Sequence, residues 1–203
     1  MIKSRQDYLE YLEADRIALN RPKTLQKYLL DEIWDYQRRL RRVEYLLNCN
    51  GNPLFKAIAQ FRFKRKGARL GFTIAPNTCG PGLALAHIGT VVISNAARIG
   101  ANCRIHAGVN IGTQAGEKGA APQIGNNCYI GPGAKLFGPI VLGDGTVIGA
   151  NAVVNKSFPD GEATLAGVPA QIVAERTSDG LLNKGFDTAQ PPADTRSSTD
   201  HEA

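Results

Sequence analysis

The chain has 203 residues, with 24 Lys+Arg against 18 Asp+Glu and a formal net charge of +6. That length holds one domain and a smaller appendage, no apolar run approaches the roughly 18 residues of a membrane helix, and the charged opening MIKSRQDYLEYLEADR lacks the apolar centre of a secretory signal, so a cytoplasmic location is expected. Cys49, Cys79, Cys103 and Cys128 are scattered without a CxxC pair or a His cluster at zinc-ligand spacing, which predicts buried free thiols and no metal.

Residues 4–48 read as helical. Ser4 followed by Asp7 suggests a capping arrangement, and apolar residues recur at Leu9, Leu12, Ile17 and Leu19. Pro22 breaks that element. A second helix fits 24–47, with a broad apolar stripe from Leu25 to Leu47, and Gly51 and Pro53 stop it. A third, shorter helix covers Leu54–Lys66 before Gly67. The positive excess lies here: residues 1–70 hold 16 Lys+Arg and 8 Asp+Glu, concentrated in RRLRR (38–42) and FRFKRKGAR (61–69). Neither stretch belongs to a nucleic-acid module or interleaves stacking aromatics, so solvated helix faces are expected and no nucleic acid partner.

From about residue 72 the pattern changes. Aliphatic residues fall six apart at Ile93, Ile99, Ile105 and Ile111, then again at Ile124, Ile130, Leu136, Leu142, Ile148 and Val154. Glycine usually follows, and four places on stand Ala97, Cys103, Val109, Cys128, Ala134, Ile140, Thr146 and Ala152. Neither a helical period nor strict alternation produces this spacing. A six-residue repeat is the signature of a parallel β-helix, in which three hexads close one triangular coil and each aliphatic residue stacks on its equivalent in the next. Thirteen residues separate Ile111 from Ile124, and GTQAGEKGAAP (112–122) departs from hexad composition, so a loop is expected there. The domains predicted are 1–70, α-helical; 71–175, β-helical; and 176–203, a disordered tail containing His201.

His87 and His106 stand nineteen residues apart, close to one coil of eighteen. Extending the register back from Ile93 puts His87 at a core-type position, while His106 follows Ile105 at a corner. The two rings are therefore expected near one vertex.

GLALAHIGTVVISNAARIGANCRIHAGVNIGT (82–113), QIGNNCYIGPGAKLFGPIVLGDGTVIGANAVV (123–154) and AGVPAQIV (166–173) resemble the serine acetyltransferase branch of the hexapeptide-repeat acyltransferases, over roughly residues 72–175. That resemblance implies a mainly β fold, a left-handed parallel β-helix after an α-helical N-terminal region. It implies an acetyl-CoA-dependent O-acetyltransferase in which His87 is the general base that takes a proton from an acceptor hydroxyl. It also implies a homotrimer, or a pair of trimers, with acetyl-CoA in a groove between neighbouring subunits. By position, Gly133, Ala134, Gly149, Ala150 and Ala170 resemble the residues that meet the pantetheine arm, and Lys156 the lysine that approaches a CoA phosphate. Lys135 and Lys118 are weaker candidates for the same role.

The match departs from the family where Ala86, Thr73 and Ala121 replace two aspartates and a loop histidine. An amino-acid acceptor is zwitterionic and needs paired charges, and the nearest here are Arg98, Arg104, Glu117 and Lys118. A sugar hydroxyl needs mainly neutral hydrogen-bonding groups, which Asn110, Thr113 and Gln114 supply. The sequence therefore favours a surface-saccharide acceptor over L-serine, with His106 taking over an orienting or acceptor-binding role. A catalytically silent β-helix scaffold is the alternative from another class.

Overall fold

The computed structural model describes residues 1–24, 30–117 and 119–189. Among the described residues the first elements are the helices α1 (Arg5–Ala18), α2 (Glu32–Asn48) and α3 (Pro53–Leu70). Ser4 and Asp7 form a full capping box on α1, as their spacing predicts. In the second helical stretch Asp31 accepts from the Trp34 N–H and caps α2, while residues 25–29 of the predicted helix lie outside the described residues. The third runs past its expected end. Gly67 sits inside α3 because a Cβ there would lie 2.6 Å from the Phe72 carbonyl. The true stop is Gly71, at φ +80, a left-handed conformation that suits glycine.

The remainder is a left-handed parallel β-helix. Its first face stacks β1 (Phe72–Ile74), β3 (Val91–Ile93), β6 (Asn110–Gly112), β9 (Lys135–Phe137) and β12 (Val153–Val154). The second holds β4 (Arg98–Ile99), β7 (Gln123–Ile124) and β10 (Val141–Leu142). The third holds β2 (Ala84–Leu85), β5 (Arg104–Ile105), β8 (Tyr129–Ile130), β11 (Val147–Ile148) and β13 (Thr164–Gly167). On that last strand β14 (Ala170–Ala174) folds back antiparallel.

Register converts the hexads into three internal ladders. Ile74, Ile93, Ile111, Leu136 and Val154 stack on the first face. Cys79, Ile99, Ile124, Leu142 and Phe158 stack on the second. Leu85, Ile105, Ile130, Ile148 and Leu165 stack on the third. All ten aliphatic positions of the repeat are buried, and so are the eight residues four places on, from Ala97 to Ala152. The interior thus takes two side chains from each hexad, which explains why the second must be small or β-branched. Cys79, Cys103 and Cys128 are buried free thiols and Cys49 is half-buried. Burial pushes the Cys79 thiol up to about 12.

The three edges differ. Between the second and third faces, Asn102 and Asn127 adopt positive φ and their amides hydrogen-bond each other at 3.0 Å, forming an asparagine edge. Between the first and second faces the thirteen-residue step carries one corner, seven residues longer than a plain hexad, and projects the loop 113–122. The third edge carries the histidines. The segment expected to be disordered from residue 176 is tied to the prism as far as Phe186: Ser178 is buried and donates to the Asn127 carbonyl, and Asn102 Oδ1 accepts from the N–H groups of Gly185 and Phe186. Those anchors are backbone-directed, so composition does not reveal them. His201 lies outside the described residues.

A buried polar cluster joins the helices to the first coil. Arg41, fully buried, pairs with Asp15 at 2.8 Å and Glu44 at 2.9 Å and donates to the carbonyls of Cys79 and Gly80. Glu44 accepts from the Asn77 N–H, and Asp15 from the Leu83 N–H. Gln37 completes the set, donating to the Leu83 carbonyl and accepting from the Leu85 N–H. These side chains satisfy backbone groups that an additional coil would otherwise pair.

Candidate active site

The histidine edge begins where β2 ends. Leu85 points into the core beside Ile105, and the Ala86 N–H donates to the Ile105 carbonyl at 3.0 Å. Eight positions separate Leu85 from Ile93 on the ladders, against six from Ile105 to Ile111. The two additional residues swell the corner at His87–Thr90. His87 therefore does not occupy the core-type position that the extrapolated register gives it. Leu85 does, and His87 is exposed at the vertex. Gly89 closes the swollen corner at φ +147, with its N–H on the Leu70 carbonyl at the end of α3.

One coil further on, His106 follows β5 at the same edge. Its ring centroid lies 5.8 Å from that of His87, with the planes tilted by 52°. The vertex contact expected from the nineteen-residue spacing is present, although the register behind it shifts by two. His106 also packs on Tyr129, with centroids 4.9 Å apart, and Arg104 Nε donates to His106 Nε2 at 3.4 Å. Burial, then the Arg104 charge, then His87 hold the His106 imidazole below its usual 6.5. It therefore stays neutral where a free histidine would begin to protonate. Among the described residues no side chain hydrogen-bonds His87, so its ring is placed by its backbone and by His106.

The candidate coenzyme residues divide. Gly133 (φ +75), Gly149 and exposed Ala150 lie on the histidine edge, two and three coils beyond His87. Small residues keep this edge low: a Cβ at Gly133 would fall 2.0 Å from Asn151 Oδ1. Ala134 turns its methyl into the core, its N–H donates to Gly131 and its carbonyl accepts from Asn110, so it supports the corner from within. Ala170 is likewise buried, at the start of β14. Lys156 stands past β12, one face away, where it donates to Gln171 Oε1 at 2.8 Å and covers the Phe158 ring.

The candidate acceptor residues are also split. Asn110 is exposed on the first face, paired in register with Val92 and Lys135. Thr113 and Gln114 belong to the loop edge, and Gln114 is tied to its own loop through Ala120 and Glu117. Thr113 and Gln114 thus lie across the first face from the histidine edge, and Asn110 lies on the face between the two edges. Lys118 lies outside the described residues. The sequence reading missed Tyr129, although it lies in register with Arg104 one coil on and the hexad count would have found it.

Concavities elsewhere do not compete for this chemistry. The groove among the helices, about 320 Å³, is lined by residues such as Trp34, Phe55, Ile58 and Arg62 and lies apart from both imidazoles. Among the described residues no three His, Cys, Asp or Glu side chains gather as a metal site, and no helix is long and apolar enough to cross a membrane.

A prism of stacked hexads is the architecture of a hexapeptide-repeat transferase. Residues 121–156 match the family described as bacterial transferase hexapeptide (six repeats). The serine acetyltransferase of Synechococcus elongatus is 32% identical over 141 residues, covering 69% of this chain and 52% of that protein. A structure of Neisseria gonorrhoeae serine acetyltransferase in complex with serine is 30% identical with a TM-score of 0.68, covering 84% of this chain and 71% of that one. The Brucella abortus enzyme in complex with coenzyme A is 27% identical with a TM-score of 0.65, covering 84% and 68%. The chain belongs to the hexapeptide-repeat transferases, in their serine acetyltransferase-like branch. It spans about half the length of the curated relatives it matches.

Proposed function

We infer that the chain is an acetyl-CoA-dependent O-acetyltransferase, with His87 as general base. The observation that carries this reading is the exposed imidazole of His87 beside His106, on the same low edge as Gly133, Gly149 and Ala150. Bound acetyl-CoA would supply a thioester carbonyl open to attack by an oxygen nucleophile. His87 would accept the hydroxyl proton as the oxygen attacks, and as the thioester C–S bond breaks the proton would pass to the departing sulfur, so that the acetyl ester and free coenzyme thiol are formed. His106, held neutral, would pack against that ring without adding charge beside it. Lys156 would serve the coenzyme's phosphates from a neighbouring face. That similar proteins are solved in complex with coenzyme A supports the choice of acetyl-CoA as donor.

L-serine is the acceptor favoured by the comparisons, and with it the chain's likeness to a serine-bound relative outweighs the saccharide preference of the sequence reading. Arg104, beside His106, supplies a cation for an acceptor carboxylate. A surface-saccharide hydroxyl is the second reading, supported by Ala86, Thr73 and Ala121, none of which offers a carboxylate or imidazole to a zwitterion. Because Thr113 and Gln114 lie on the loop edge, across the first face from His87, the working unit is inferred to be a homotrimer in which a neighbour's loop edge meets the histidine edge. A pair of trimers would preserve that contact.

The test is thiol release from acetyl-CoA against L-serine and a panel of oligosaccharides. His87→Ala is expected to lower kcat by about 10²- to 10⁴-fold. Turnover on oligosaccharides with none on serine would reverse the acceptor. If no acceptor releases thiol and coenzyme A does not bind, a non-catalytic scaffold is what remains.

A further inference from the structure

We propose that Gln37, on α2, is a positioning residue for His87: its carboxamide stands in for the missing neighbour strand at the open end of the third face and fixes the backbone from which the catalytic corner springs. The proposal rests on the reading of His87 as base. β2 is the first strand of its face, paired by β5 on one side only. On the other side the Leu83 carbonyl and the Leu85 N–H point out of the sheet, where an earlier coil would have met them. Gln37 presents Nε2 to the Leu83 carbonyl at 2.7 Å and Oε1 to the Leu85 N–H at 3.0 Å. One carboxamide thus supplies the donor and acceptor of a peptide group, in the geometry a paired strand would use.

Its burial makes this arrangement decisive. Gln37 has no exposed surface, and Leu83 and Leu85 are buried too. Leaving those two backbone groups without partners in an apolar interior is unfavourable, so a residue that cannot bond them forces the segment to shift. His87 lies two residues past Leu85, and no side-chain hydrogen bond restrains it among the described residues. Residues that would orient it directly are replaced by Ala86 and Thr73. Orientation therefore falls to the backbone: Gln37 holds the approach, Asp15 holds the Leu83 N–H at 2.9 Å, and the Leu70 carbonyl holds Gly89 on the far side. The helices cap the solenoid and also aim its base.

The variant that isolates the effect is Gln37→Met, which keeps length and apolar volume but bonds neither partner. Glu44→Gln is the matched control, because it perturbs the same polar cluster at Asn77, away from the histidine corner. Gln37→Met is expected to lower kcat by about 10- to 100-fold, as for a misplaced catalytic group. KM for acetyl-CoA should stay within about twofold, because Gly133, Gly149 and Ala150 lie two and three coils further along that edge. Glu44→Gln should lower the melting temperature yet hold kcat within about twofold. In parallel, histidine-labelled protein examined by NMR should show the His87–His106 ring contact in the parent and in Glu44→Gln, and lose it in Gln37→Met. Retained kcat and ring contact in Gln37→Met would overturn the proposal, as would equal losses of kcat in both variants. If the parent releases no thiol, the enzymatic reading fails and the NMR comparison alone decides the positioning role. Should Gln37→Met fail to fold, Gln37→Asn, too short to span both partners, carries the same measurements.

Discussion

His106 shows how much chemistry one coil position can hold. Its burial, then the Arg104 guanidinium, then the His87 imidazole lower its pKa, while the Tyr129 ring packs against it from the next coil. Because its pKa is lowered in the folded state, the unfolded chain binds more protons between that value and 6.5. Stability should therefore fall as pH drops below about 6.5 and be regained above it. Urea unfolding midpoints measured from about pH 5 to about pH 7.5 are expected to show this slope, and His106→Gln to flatten it. An NMR titration should place His106 below 6.5, with Arg104→Met moving it upward. The sequence located both histidines at one vertex, since coil length alone sets that. It misjudged which way His87 points, because two additional corner residues are invisible to a count that assumes equal hexads. The candidate acceptor residues were legible as exposed polar groups, but not their division between the first face, at Asn110, and the loop edge, at Thr113 and Gln114.

At the scale of elements, the helical region is bound to the prism by charge as well as by apolar packing. Tyr36 stacks on Phe63 at 5.1 Å and lies 4.9 Å from Phe72, joining α2, α3 and β1. Beneath them the Arg41 cluster buries three charges. Burial raises the Asp15 carboxyl above its ordinary value, with Arg41 opposing that shift. Arg41→Met would leave Asp15 and Glu44 buried without their cation, and is expected to cost about 3–5 kcal/mol in urea unfolding. A loss below about 1 kcal/mol would show that water reaches the site. From the sequence, RRLRR reads as a solvated basic run, and for Arg42 that is correct. Arg41 differs because its helix face turns toward the first coil, a fact set by tertiary packing. Gly67 is a comparable case: a local stop signal in sequence, a point of close backbone approach in the fold.

For the molecule as a whole, the repeat made the architecture readable, since every one of its ten aliphatic positions joins an internal ladder. Ile130→Ala, at the middle of the third-face ladder and fully buried, is expected to lower stability by about 2–5 kcal/mol, checked by thermal or urea unfolding. What the repeat does not encode is where it stops. Parallel coils present at each end a row of backbone groups ready to accept another coil, so a bare prism is a template for indefinite end-to-end growth. Here the two ends are closed by different means: the buried side chains of α1 and α2 at one, and the reversal of β14 against β13 at the other. The length between those stops is consequently a free parameter of the design. A spliced coil of eighteen residues beyond Leu142 would lengthen the rod by about 4.8 Å and leave the imidazole vertex untouched, making this chain a molecular ruler whose gradations are coils.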